Sequence, residues 1–339
     1  MLFHGPLNSY VAAFIVVLMQ VLVLWGSSSE ARLIPQPPLI LSYHDGPLLG
    51  GGGAVSVNIL WYGDFSKAQK NAVRDFFSSI ETVPKNHGEG SNSIMSGIPE
   101  PVSVSSWWSV VGQYRDSRGR SAATSLRLGT ESADSAYSMG KSLSRGDIEC
   151  LVDTIDDGEE EGGLNLVLTL DDVTVEGFCM NSCARHSVVG PAARAKSGRP
   201  YAWVGNPASQ CPGRCAWPFA AAQEYGPRNS PLSTALVPPN GDAGIDGLII
   251  NMAAILAGAV TNPYGTGFYQ GDESVPFEAA TACMGVFGPG AFPGYPGKLT
   301  VDQITGASFN SHGVNGRKFL LPALWNPSTL SCNVLTITS

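Results

Sequence analysis

Charge is scarce in this chain. Asp, Glu, Lys and Arg make up 14% of 339 residues, the formal net charge is −8, and Lys and Arg never form a run. An acidic chain with no basic stripe lacks the electrostatic footprint of a nucleic-acid binder, and that class of partner is excluded. Histidine is scarcer still, five in all. No His-Glu-x-x-His segment is present, the arrangement that sets two imidazoles one turn apart on a helix face to hold zinc. Nor is there a Gly-x-Ser-x-Gly nucleophile elbow. "GPGAFPGYPGKLT" ends in Gly-Lys, but Phe292 stands where a phosphate loop needs its first glycine and Leu299 where it needs Ser or Thr; "GTGFYQG" misses the dinucleotide fingerprint by one residue. No Asn-x-Ser/Thr with a middle residue other than proline occurs, so no ordinary N-glycan is expected. No cofactor and no metal is expected.

What is present begins with an apolar run, "YVAAFIVVLMQVLVLW" (residues 10–25), interrupted only by Gln20 and followed by small residues. It is too short for a bilayer span, which takes about 20 apolar residues, and it reads as a signal peptide over residues 1–31. No Lys or Arg precedes it. A Pro- and then Gly-rich arm over residues 32–53 follows, opening the mature chain as an extended segment and a flexible turn. Residues 54–339 then read as one large globular domain with no later segment apolar enough to cross a membrane. The expected location is outside the cell.

Seven cysteines fit that compartment. Cys179 and Cys183 form one Cys-x3-Cys, Cys211 and Cys215 another; in a reducing compartment such pairs suggest zinc, but behind a signal peptide they are read as disulfides. Two bridges within or between the pairs are expected, plus Cys283 with Cys332. Cys150 is left over and is expected to be a buried free thiol.

The fold class is α/β (α+β). "AVSVNILWYGDF" has the β-branched and aromatic enrichment of a strand. After it Ser66 can cap a helix carrying Ala68, Ala72, Val73, Phe76, Phe77 and Ile80 at helical spacing. "SVSSWWSVVGQY" and "SRGDIECLVDTI" read as short helices, with Trp107 and Trp108 as core. The unbroken apolar run of residues 164–170 reads as a central strand buried on both faces, and "YAWVGN" as a second. A helix with no ionisable side chain from Leu248 to Val260 should lie inside the domain, with Asp246 as its cap. Near the end, Asn315-Gly316 predicts a hairpin turn.

For chemistry, His186 is the histidine closest to the cysteine pairs, but no second ligand sits at a useful spacing and it reads as a structural or surface histidine. A glycosidase needs two carboxylates about 5 to 9.5 Å apart. Asp172 and Glu176 on an extended segment are about 13 Å apart, and nothing selects a partner among Glu224, Asp272, Glu273 and Glu278.

Five segments, "NILWYGDF…AQKNAVRDFFSSI", "VLTLDDVTVEGFCMNSCARHS", "YAWVGNPASQCPGRCAWPF…YGP", "DAGIDGLIINMAAILAGAVTNPYGTGFYQG" and "GVNGRKFLLPALWNP", resemble the plant Exordium, or phosphate-induced protein, family, from about Leu39 to Cys332. The chain departs from the family pattern at Ala184-Arg185, where a glycine is expected, and at Cys150. The resemblance implies a secreted, apoplastic or cell-wall protein that promotes growth and cell expansion and is linked to brassinosteroid and carbon-status responses. It supplies no catalytic residue.

The helix before "TNPYGTGFYQG" is also similar to the active helix of zinc peptidases of the zincin type, which carries His-Glu-x-x-x-Glu-Ala-x-Thr-Asp-Pro. Aligned on "AVTNP", the metal-binding His falls on Ala254, the catalytic Glu on Ile255 and the later Glu on Gly258, all chemically silent. This likeness implies a zincin-like scaffold with a degenerate active-site helix and no proteolysis. The expected function is non-catalytic binding of a cell-wall polysaccharide or a cell-surface protein through the old cleft, lined by His186, Trp217, Phe219, Tyr264, Phe268 and Tyr269. The alternative is an extracellular hydrolase, metal-dependent or glycan-active.

Overall fold

The computed structural model describes residues 39–82, 101–155, 163–190, 198–220, 235–272 and 275–334. The signal-peptide reading, Glu224 and Glu273 lie outside these residues. All of the described residues belong to one compact unit, Leu39–Ser339.

Its centre is a five-stranded sheet built from β1 (Ala54–Tyr62), β2 (Ser125–Asp134), β3 (Leu164–Thr169), β4 (Ala184–Val189) and β5 (Arg199–Gly205), in the spatial order β2-β1-β3-β5-β4. All neighbours are parallel except the edge strand β4, which runs antiparallel to β5. Helices cover both faces, which is why β3 reads as continuous apolar sequence rather than alternating. On one face Ile59, Trp61, Leu166, Leu168, Ala202 and Val204 join the main core. On the other Leu60, Tyr62, Val167, Tyr201 and Trp203 meet Ile148, Leu151 and Val152.

The helix α1 (Lys67–Glu81) starts where the sequence predicts. Ser66 accepts from the Gln69 backbone N–H while the Gln69 side chain accepts from the Ser66 N–H, a reciprocal cap that satisfies two otherwise orphaned donors. Ala72, Val73, Phe76, Phe77 and Ile80 are buried; Ala68, in the first turn, is exposed. In α2 (Val104–Trp108) both tryptophans are core, their indole N–H groups donating to the carbonyls of Pro322 (2.7 Å) and Ala123 (3.1 Å). Helix α3 (Arg145–Asp153) carries Cys150, which is free but exposed rather than buried: it falls on the side opposite Ile148, Leu151 and Val152. A four-residue helix α4 (Pro212–Cys215) precedes the long helix α5 (Ala243–Thr261).

By length and composition α5 could cross a membrane, contrary to the sequence reading, yet 83% of its apolar window is buried inside the domain, where it is the central core helix. Its cap also differs from expectation: the Asp242 carboxylate accepts from Gly244 N (2.9 Å) and Ile245 N (3.1 Å), and Asp246 sits one turn further in.

The arm of residues 32–53 is not a free extension over its described part. Ser42–Tyr43 pairs antiparallel with Phe268–Tyr269, and Leu49 N donates to the Val260 carbonyl at the end of α5 (3.0 Å). The arm thus supplies a donor for a helix carbonyl that has no partner within the helix.

Three disulfides are formed. Cys179–Cys211 and Cys183–Cys215 run between the two Cys-x3-Cys pairs and clamp the segment entering β4 to α4; Cys283–Cys332 ties the last strand to the segment after α5. The predicted hairpin is present between Ser311–His312 and Lys318–Phe319. Asn315 (φ 54°) and Gly316 (φ 72°) take the left-handed backbone that a tight turn of this kind requires, and Asn315 and Arg317 dock on Asp75 of α1.

Candidate functional site

Helix α5 is buried on nearly all sides. Beyond its first residue, Ala243, the exceptions are Asn251, Ala254 and Ile255, each half-buried and spaced to lie on one face. One turn beyond them that face is closed by Gly258, where an added Cβ would stand 2.5 Å from Glu278 Oε2 and 3.4 Å from His186 Nε2. Only glycine leaves the helix surface low enough for those two side chains to meet across it.

Glu278 is 4% exposed. Both of its oxygens lie 2.9 Å from His186 Nε2, and Oε1 also accepts from Asn262 Nδ2 at 2.7 Å. The Asn262 side-chain oxygen Oδ1 accepts from Gly267 N at 2.7 Å, and Glu278 N donates to Thr281 Oγ1 at 2.7 Å. A buried carboxylate is stable only when paired and hydrogen-bonded, and here the edge strand, the end of α5, the turn after it and the segment around residue 278 each contribute. The Nε2 contact fixes the imidazole, whose side chain is 12% exposed. Asn251 Nδ2 donates to the Cys215 carbonyl at 2.8 Å, so the Cys183–Cys215 disulfide braces both walls, β4 and α5.

The zinc-peptidase alignment needs one correction. The motif has three residues between its glutamates, so with Gly258 fixed the earlier His and Glu positions fall on Ala253 and Ala254 rather than on Ala254 and Ile255. Both readings are apolar, and the position of the later Glu remains Gly258. Among the described residues no three His, Cys, Asp or Glu side chains stand together as a metal-binding group.

The six residues expected to line one cleft fall into separate packing groups. His186 pairs with Glu278. Phe268 stacks on Tyr43 (4.8 Å between ring centroids) and meets Tyr114 edge-on. Tyr269 is buried and stacks on His44 at 3.8 Å. Trp217 contacts Phe287, and Phe219 is buried in that same small cluster with Ile250 and Leu320. Tyr264 is half-buried, and burial raises its hydroxyl pKa. Amphipathic rings packed this way contribute area to the core, so an alanine variant at Tyr269 reports on folding before it reports on binding. Ala184 and Arg185 lie within β4, so no glycine turn precedes His186.

Of the carboxylates considered for glycoside chemistry, Asp172 pairs with Lys141 and Tyr137, Glu176 with Arg145, and Glu278 with His186. The last pairing joins residues 92 apart in sequence, and no local pattern announces it.

Asp246, at the other end of α5, is 3% exposed. Burial pushes its carboxyl up from 3.8 to about 7, against the pull of hydrogen bonds from Asn240 N (2.8 Å) and Nδ2 (2.5 Å). Between those two values the folded chain holds a proton that the unfolded chain releases. Stability is therefore expected to fall as pH rises from 3.8 to about 7, by up to about 4 kcal/mol at 1.36 kcal/mol per unit. Melting curves of the wild type and Asp246→Asn across that range test it. The variant's midpoint should follow pH less steeply, and parallel slopes would refute the assignment.

The family model described as "Phosphate-induced protein 1 conserved region" matches residues 41–335. "Protein EXORDIUM-like 1" of Arabidopsis thaliana is 45% identical over 295 residues, covering 86% of this chain and 89% of that one. "Protein PHOSPHATE-INDUCED 1" of Nicotiana tabacum is 44% identical over 316 residues, with 92% and 94% covered, and "Protein EXORDIUM" of Arabidopsis thaliana 43% over 315, with 91% and 94% covered. No solved structure matches the chain. With a match that runs from the arm to the last disulfide, the chain belongs to the Exordium and phosphate-induced protein family.

Proposed function

We propose that this chain is a secreted, cell-wall-associated protein that promotes growth and cell expansion and acts by binding a wall polysaccharide or a cell-surface protein, without catalysis. The supporting observation is the face of α5 that carries Asn251, Ala254 and Ile255 and ends at the His186–Glu278 pair. In a mostly buried helix, that stripe is the part left half-buried. Its centre is small and apolar, and its end offers a fixed imidazole. Apolar surface with a few placed polar groups is the usual make-up of a binding site. The zinc-peptidase likeness of the same helix fits this reading: the chemistry is gone and the surface remains.

The test is Ala254→Arg, which adds bulk and charge to that half-buried face. Retention of the secreted protein by a plant cell-wall preparation is expected to drop by about tenfold, the scale of one disrupted contact centre, with the melting midpoint measured beside it as the control for folding. Unchanged retention would reject this face as the site.

The His186–Glu278 pair favours one second reading, an extracellular hydrolase in which a carboxylate-held imidazole acts as general base. Hydrolysis of a wall polysaccharide or peptide that vanishes in His186→Ala would establish it over the binding reading.

A further inference from the structure

The hairpin tip over residues 114–122 stands against the charge of the whole chain. Its sequence, "YRDSRGRSA", places Arg115, Arg118 and Arg120 within six residues of a chain of net charge −8, and all three are exposed. The stem is fixed at both ends, because Tyr114 is buried with its hydroxyl donating to the Trp325 carbonyl at 2.6 Å, and Ala122 is buried with its N–H donating to the Tyr114 carbonyl at 2.8 Å.

Asp116 locks the turn from within. Oδ1 accepts from Arg118 N (2.9 Å) and Arg120 N (2.8 Å), Oδ2 accepts from Arg120 Nε (2.8 Å), and the Asp116 backbone N–H donates to the Arg120 carbonyl (2.9 Å). Arg115 reaches across the turn with Nη1 on the Gly119 carbonyl (2.9 Å), and the Arg118 guanidinium has no partner among the described residues. With one carboxylate against three guanidinium groups, the tip keeps a net positive charge on a backbone that cannot fold away from its ligand.

We infer that this tip is an anion-docking surface whose ligand is a carboxylate-bearing polysaccharide, a chain of uronate residues. Guanidinium groups offer paired N–H donors that match carboxylates, and three arginines with no lysine suit that geometry. All three arginines are exposed on a turn rather than buried around a pocket; a compact phosphate needs donors that converge on it, whereas a polymer with one carboxylate per residue engages successive guanidinium groups in turn. The chain's net charge of −8 disfavours such a polymer overall and makes a basic tip a favoured point of approach. The choice of a polysaccharide rests on the extracellular location proposed above; the anion-binding chemistry does not.

The experiment compares the mature protein with Arg115→Ser/Arg118→Ser, which leaves the Asp116–Arg120 lock intact, on immobilised polygalacturonate and on a neutral glucan. Wild type is expected to bind the polyuronate and not the glucan. The double variant should retain about a tenth of that binding, and wild type in about 0.3 M salt should lose it similarly, since exposed charges are screened within a few ångströms there. Equal retention by the variant would overturn the inference. So would preference for vesicles of anionic phospholipid over polygalacturonate, or loss of binding in Ala254→Arg but not in the tip variant. The mass of the chain secreted by a plant host, beginning after residue 31 or not, reports on the extracellular reading separately.

Discussion

Glu278→Ala is expected to destabilise the protein by about 2 to 5 kcal/mol, since each buried hydrogen-bond donor left without its acceptor costs about 1 to 3 kcal/mol and two are stranded. The carboxylate accepts from His186 Nε2 and from Asn262 Nδ2, and its removal leaves both largely buried donors without that acceptor. The turn after α5 should loosen as well, because Asn262 also accepts from Gly267 N and loses its anchor. Glu278→Gln keeps one acceptor oxygen and should lose much less. The check is the denaturant midpoint at constant m-value for both variants, with His186→Ala and the double variant closing a cycle. A loss below about 1 kcal/mol for Glu278→Ala, the size of an ordinary surface effect, would mean that the cluster neither holds the helix end nor presents His186 in a fixed orientation. The half-buried face of α5 would then lack its polar end, which weakens the binding site proposed on it.

Replacing Cys179, Cys183, Cys211 and Cys215 by serine is expected to have an effect of similar size by a different route. Each bridge spans a sequence separation of 32, a loop whose closure is worth about 3 to 4 kcal/mol in the chain-entropy model. The two loops overlap almost completely, so the second bridge adds less than the first, and about 4 to 5 kcal/mol is expected for the pair. That is a large part of the roughly 5 to 15 kcal/mol that keeps a domain folded. The loss should concentrate near β4 and α4, which the bridges join. Hydrogen exchange with and without reductant would read it as faster exchange in β4 than in β1 and β3. Uniform exchange across the sheet would instead make the bridges global staples with no particular bearing on the site.

Much of the fold is written locally. Ser66 and Gln69 cap α1 with side chains three residues apart, Asn315-Gly316 fixes a turn by backbone preference, and the apolar run of β3 declares burial on both faces; each signal is complete within a few residues. The two cysteine pairs and the extended match along the chain identify the family as well. Tertiary structure decided the rest where two local readings were equally good. Asp242 and Asp246 both precede the apolar stretch of α5, and Asp242 is the cap because Gln69 of α1 bonds its second oxygen at 3.1 Å while Asn240 holds Asp246 in the interior. Cys150 sits in an amphipathic helix whose buried side is set by the sheet, and sequence alone did not give the helix's rotation. The aromatic residues after α5 suggest a binding surface by their abundance, yet Phe268 packs on Tyr43 and Tyr114, and Tyr269 on His44. His186 and Glu278 were both visible as residues, and only the packing of the edge strand over Gly258 brings them together: a contact between positions 92 apart depends on the path of the whole chain between them, which no local preference encodes.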